Sequence, residues 1–293
     1  MTEGRHGWLP EVEVLRSLAA LGVLLSHSVD NVGGSLALRL IDRAGIVSVP
    51  VFFVLSALVN WYRHPQGPER GYLRRRLVTI GLPYLLWSAT YSELYAWLDG
   101  SGPVGAAALA ENAALGRFHL YFLLVLLQFE VLFACMRAAW LRRLVLHPAA
   151  LPVTAALTLA LDAAFTGPLA GAWPRFFVTA PAWLLYFVLG AQLAARWPRI
   201  RQVIGRSGPG VLAAGVAGVA LLLMPVHPAA AFHPLLQVAS LLVMPGLTYG
   251  ATGLARANGR LWRGLMQLAP YTFGLYLTHL VAYRALAPYL PPL

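Results

Sequence analysis

The sequence predicts an all-α fold, a polytopic bundle of about nine to ten transmembrane helices, and three observations carry that expectation. Hydrophobic residues make up 59% of the 293-residue chain and charged residues 11%, with a mean hydropathy of +0.66, a balance foreign to soluble globular domains. Apolar runs near the ~20 residues needed to cross a hydrocarbon core recur along the whole length. Arginines gather in alternate connections between those runs, as the positive-inside rule requires.

The runs fall at 12–29, 44–62, 77–97, 119–136, 149–165, 177–195, 209–225, 234–253 and 264–283. The first follows an acidic stretch and has no Ala-x-Ala site after it, so it is expected to stay as a span rather than leave as a signal peptide. Proline and glycine mark the borders, as in His64-Pro65-Gln66-Gly67-Pro68, Gly100-Ser101-Gly102-Pro103, Ser207-Gly208-Pro209-Gly210 and Pro225-Val226-His227-Pro228. One arginine-rich connection holds Arg63, Arg70, Arg74, Arg75 and Arg76; the next, Arg137, Arg142 and Arg143. Two more follow, with Arg196, Arg199, Arg201 and Arg206, then Arg256, Arg260 and Arg263. These loops and the amino terminus are therefore expected in the cytoplasm, which places the chain as a multi-pass protein of a plasma membrane. The connections are short, no repeat is visible, and residues 1–293 read as a single membrane-embedded domain.

The formal charge of +11 comes from 22 basic residues, all of them arginine and spread over short loops, which is a topology signal and excludes a nucleic-acid surface. Cys135 is the only cysteine, so no intrachain disulfide can form. No His-Glu-x-x-His, phosphate-binding glycine loop, paired cysteines or nucleophile elbow occurs, so neither a metal nor a permanently bound cofactor is expected.

Two residues in the first run need explaining. Arg16 and His27 are eleven positions apart, which on a helix puts them within about 20° of one face and ~16 Å apart along the axis. An arginine inside a membrane helix costs roughly 2.5–3.5 kcal/mol on insertion scales, so an intramembrane ionisable residue is by default a candidate site. The plain alternative is that Arg16 snorkels to the interface and pairs with Glu13 one turn earlier, while His27 is a hydrogen-bonded packing residue.

Glu13-x-x-Arg16 with His27, followed by Val49-Pro50-Val51-Phe52-Phe53-Val54-Leu55-Ser56, resembles the opening of the acyltransferase family 3 membrane proteins. Arg74-Arg75-Arg76 ahead of Pro83-Tyr84 is similar to the family's basic motif, with Thr79 where a further basic residue stands. His119-Leu120-Tyr121 resembles a segment of the polysaccharide O-acyltransferase branch, and Tyr276-Leu277-Thr278-His279 resembles the closing signature. The departures are Ala57 for a glycine, Thr272 for a serine, and Ala287-Pro288-Tyr289-Leu290-Pro291-Pro292-Leu293 where the family has one more helix.

The resemblance implies transfer of an acyl group, most often acetyl, from cytoplasmic acyl-CoA as co-substrate to a hydroxyl of an envelope carbohydrate or lipid-linked glycan. A hydroxyl needs a positioned base, and histidine has the unperturbed pKa best placed to serve. His27 is the candidate base, Arg16 orients it or binds donor phosphate, and His279 orients another group or lines the acceptor pocket. Arg74, Arg75 and Arg76 suit the phosphates of the donor or, alternatively, anionic lipid headgroups. His119, Tyr121 and Tyr276 are candidates for acceptor binding. Glu130 lies outside the family pattern, and a buried pair with Arg16 would leave neither charge uncompensated. The rival class is a multi-pass transporter or flippase, which also places arginine and histidine inside a bundle.

Overall fold

The computed structural model describes residues 9–28, 36–169, 171, 175–223, 232–257 and 259–286; the segments Pro225-Val226-His227-Pro228 and 287–293 lie outside them. The described residues form helices joined by turns, with no strand among them. They run as α1 (Pro10–Ser28), α2 (Leu36–Arg63), α3 (Tyr72–Arg76), α4 (Leu82–Leu98), α5 (Ala106–Ala114), α6 (Tyr121–Cys135) and α7 (Ala139–Leu146). There follow α8 (Ala150–Thr166), α9 (Leu184–Arg206), α10 (Gly208–Leu223), α11 (Phe232–Ala257), α12 (Arg260–Leu268) and α13 (Thr272–Leu286). A π-helical turn, Leu77–Gly81, links α3 to α4, and 3-10 turns occupy Phe118–Leu120, Phe176–Val178, Ala180–Trp183 and Ala269–Tyr271.

Against the nine to ten spans expected, three stretches among the described residues are long and apolar enough to cross a membrane: Leu40–Arg63, Phe118–Cys135 and Leu235–Ala257. Counting each of two sharply bent helix pairs as one span raises the number to five. Proline accounts for one missing span, at Pro270, and fixes the border of another run, at Pro148. Pro148 forces the preceding His147 to ψ 136°, an extended conformation, and so parts α7 from α8. Pro270 sits in the 3-10 turn that separates α12 from α13 inside the run 264–283. Pro50 and Pro245, by contrast, lie within continuous helices. The first run misses the criterion through charge, since α1 carries Glu11, Glu13 and Arg16.

The chain divides into two compact units, Met1–Val59 with Leu193–Leu293, and Asn60–Gln192. In the first unit α1 is the central element. Pro10 occupies its first position, where the missing N–H costs nothing, and Glu11 and Glu13 meet the positive end of the helix dipole. It packs on α11, α12 and α13, with Val12, Val14, Leu15, Ala20 and Val23 buried. The Ser17 hydroxyl donates to the Leu265 carbonyl at 2.7 Å, and the Tyr283 hydroxyl donates to the Leu24 carbonyl. Small residues let backbones approach: a Cβ at Gly45 would stand 2.0 Å from Ser26 Oγ, and one at Gly218 2.7 Å from Val243 Cγ2.

In the second unit α6 carries the core face, with Leu123, Val125 and Phe133 fully buried. Gln128 fastens it to the 3-10 turns, its amide nitrogen donating to the Val178 carbonyl at 2.9 Å and its oxygen accepting from the Ala180 N–H at 2.8 Å. Gln192 donates to the His147 carbonyl at 2.9 Å, which satisfies a group exposed by the Pro148 break.

Candidate functional site

Two constellations stand out, one in each unit. In the first, α1 brings His27 and α13 brings His279 into stacked contact, with ring centroids 5.1 Å apart and an interplanar angle of 30°. Neither helix could place its histidine alone. Gly45 on α2 admits Ser26 in direct contact, Tyr283 grips the Leu24 carbonyl, and those two restraints hold the stretch of α1 that leads into His27. His279 is buried, and its Nδ1 lies 2.7 Å from the Tyr276 carbonyl. A carbonyl oxygen only accepts, so Nδ1 carries the proton and Nε2 is the basic atom of the neutral ring. Tyr276, also buried, has its ring centroid 5.9 Å from that of His279, and Tyr283 meets the same imidazole edge-on at 6.1 Å.

Arg16 does not join this group. Its Nη1 donates to Glu13 Oε2 at 2.8 Å, the one-turn pair that the sequence leaves open as the plain reading. A second ion pair on α1 has no counterpart in the sequence reading: Arg201 Nη2 meets Glu11 Oε1 at 2.5 Å, with Glu11 only 2% exposed. Further along the same helix, Leu15, Ala19 and Gly22 join Val47, Leu222 and Val243 around an apolar cavity of about 290 Å³.

In the second unit the arginine cluster is divided. Arg76 turns inward: Nε lies 3.4 Å from Glu130 Oε2, and Nη2 donates to Asn60 Oδ1 at 2.6 Å. The Asn60 amide donates to both Glu130 oxygens at 3.1 Å, the Tyr72 hydroxyl donates to Oε2, and Arg76 Nε also reaches the Tyr72 hydroxyl at 3.1 Å. Glu130, 1% exposed, is thus paired with Arg76 and not with Arg16. Tyr72 and Arg76 are one helical turn apart on a single face, so both reach the same carboxylate, while Arg16 is held by Glu13. Arg75 pairs instead with Glu69 at 2.5 Å on the surface, and Arg74 is exposed.

The electrostatics of this network follow from burial. Desolvation is the largest influence on Arg76 and would lower it, but the Glu130 carboxylate and the Tyr72 hydroxyl together outweigh it and hold the guanidinium above its ordinary value. The Tyr72 hydroxyl is pushed well up by burial and by the same carboxylate, and remains a donor. His64, whose ring meets Tyr72 edge-on at 5.6 Å, is pushed down by burial despite Glu69.

His119 is buried in the second unit, its ring edge-on to Tyr91 at 4.9 Å. Phe118 just before it has φ 60°, the left-handed region that no other non-glycine among the described residues adopts. Tyr121 lies against Phe177 at 5.2 Å and Trp183 at 6.4 Å. Among the described residues no three His, Cys, Asp or Glu side chains converge as a metal site.

A family model described as an acyltransferase domain matches residues 9–293. The Bacillus subtilis protein YfiQ, which carries the name of a membrane-bound acyltransferase, is 28% identical over 73% of this chain and 64% of its own length. A Staphylococcus aureus protein named for export of poly-β-1,6-N-acetyl-D-glucosamine is 28% identical over 42% of this chain and 37% of its own. The chain thus spans less than two thirds of either relative. No solved structure matches it.

Proposed function

The chain belongs to the acyltransferase 3 family, and on that premise we propose that it is a membrane-embedded O-acyltransferase. It moves an acyl group, acetyl in the simplest case, from acyl-CoA to a hydroxyl of an envelope carbohydrate or lipid-linked glycan. The names of the two relatives support a membrane acyltransferase working on a carbohydrate. The charge pattern supports a plasma-membrane setting with a cytoplasmic amino terminus, and the arginine loops facing the donor pool.

The observation that carries the reading is the stacked pair His27 and His279. Attack of the acceptor oxygen on the thioester carbon forms a C–O bond and breaks the C–S bond. The hydroxyl proton passes to a base and from it to the departing thiolate, so that ester and free thiol are the products. His27, half-buried at the end of α1, is the base; His279, its tautomer held by the Tyr276 carbonyl, fixes the orientation of the pair. Arg16, held by Glu13, keeps a cation low on the same helix. Arg74 and Arg75 present outward guanidinium groups for the donor's phosphates. His119, Tyr121 and Tyr276 are each candidates for binding the acceptor.

A second reading, export of a glycan without acyl chemistry, is favoured by the name of the staphylococcal relative. Purified protein given acetyl-CoA and an envelope glycan separates the two. Donor-dependent ester that disappears in His27→Ala supports the enzyme, and near-normal turnover in that variant, at matched protein levels beside His119→Ala and His279→Ala, removes His27 as the base. Glycan flux in vesicles without any ester product overturns the enzyme reading.

A further inference from the structure

We propose that Glu130 is a positioning residue for the acyl donor: by drawing Arg76 and Tyr72 inward it fixes α3 so that Arg74 and Arg75 face the donor's phosphates. The inference rests on the donor role given above to those two arginines.

Helix α3 has five residues and continues through the π turn Leu77–Gly81 into α4, with right-handed helical dihedrals at both junctions. Its free end is the amino end, where Gly71 stands at φ 81° and supplies no side-chain cap, and the π turn, a rare form, sets the register of this first stretch apart from that of α4. An uncapped first turn frays unless packing holds it, and here the Glu130 network holds it.

At 100° per residue, Arg76 stands 40° from Tyr72 around the axis, whereas Arg74 stands 200° from it. Committing positions 72 and 76 to one buried carboxylate thus turns Arg74 to the opposite side and leaves Arg75 at the flank, where Glu69 steadies it at 2.5 Å. Three elements meet on Glu130: Asn60 from the end of α2, Tyr72 and Arg76 from α3, and α6, which carries the carboxylate. Both carboxylate oxygens are engaged, so the anchor is one of charge and direction together. The run of three arginines divides by role: one holds the helix and two meet the ligand.

The test measures donor KM and kcat, and amide hydrogen exchange over 72–81, in Glu130→Gln, Tyr72→Phe and the double variant Arg74→Ala/Arg75→Ala. Tyr72→Phe keeps the aromatic contacts and removes only the hydroxyl, so it serves should Glu130→Gln not fold. The expected result for Glu130→Gln is faster exchange in α3 and a donor KM raised roughly ten-fold or more, with kcat little changed, since displacing a positioned group by ~1 Å can cost about 10²-fold. Tyr72→Phe should move both readouts the same way by less. The double alanine variant should raise KM while leaving exchange as it was. Unchanged KM in Glu130→Gln and Tyr72→Phe, beside a raised KM in the double variant, overturns the positioning role alone. A lowered KM in Glu130→Gln would show that freed Arg76 is itself a phosphate ligand, and overturns it too. Unchanged KM in the double variant overturns the donor role of α3 and this inference with it.

Discussion

Replacing Gly45 by alanine tests whether helix packing holds the histidine pair together. The new Cβ would stand 2.0 Å from Ser26 Oγ, 2.2 Å from Ser26 Cβ and 2.9 Å from the Gly22 carbonyl oxygen. Ordinary contact begins near 3.4 Å, so the backbones must separate by about 1.4 Å (3.4 less 2.0), and turning the Ser26 hydroxyl away still leaves about 1.2 Å (3.4 less 2.2) to be found against its Cβ. Overpacking of this kind costs about 1–3 kcal/mol, against which the better helix propensity of alanine returns up to ~1 kcal/mol. The expected net loss is thus about 1–2 kcal/mol, enough to lower the melting temperature in detergent without abolishing the fold. Activity should fall further than stability, because Ser26 adjoins His27 and a shift near 1 Å can cost about 10²-fold in rate. Ser26→Gly in the same chain should restore much of both, whereas Gly250→Ala, which meets open space, should have little effect. Native stability and turnover in Gly45→Ala would refute the reasoning.

Three other outcomes are expected. His64 is held below its ordinary value of about 6.5, so the unfolded chain takes the proton more readily. Its contribution is complete above pH 6.5 and is lost as the pH falls below it; His64→Gln should flatten that part of the stability curve, and an unchanged acid limb counts against the assignment. Raising salt should raise the donor KM of the native protein, since exposed phosphate contacts are screened over ~8 Å at physiological ionic strength, and the double variant Arg74→Ala/Arg75→Ala should flatten the salt response. With the exposed Cys135 changed to serine, a cysteine placed at Gln66 should react only with a reagent admitted to the cytoplasm; labelling of intact cells from outside would reverse the orientation.

The helical class was legible from hydropathy, but the ends of helices were legible only in part. Pro148 and Pro270 part helices while Pro50 and Pro245 lie inside them, and the difference rests with what neighbouring elements supply to the freed backbone groups. A similar limit applies to the site. Resemblance singled out His27 and His279 separately; that their rings stack depends on helices some 250 residues apart in sequence, a relation carried by no local pattern. Glu130 was recognisable as a buried carboxylate that needs a cation, yet the rule does not say which of many arginines answers it. The i, i+4 spacing of Tyr72 and Arg76 held the clue, and was hidden by the neighbouring arginines. Glu11 stands in the first turn of α1, where acids are common, and only packing shows it sunk beneath Arg201.

The position of α1 at the heart of the first unit bears on how the protein is made. Ser17 finds its acceptor 248 residues later and Leu24 its donor 259 residues later. At roughly 5–20 residues per second, translation needs on the order of 12–50 s to supply those partners. Through that interval the nascent α1 holds Glu11, Arg16 and His27 in or beside the lipid, with only Glu13 at hand to answer the guanidinium. An insertion machine or chaperone that shelters α1 until α12 and α13 emerge would therefore set the yield of folded protein, and the stacked histidine pair is assembled only once α13 has been made.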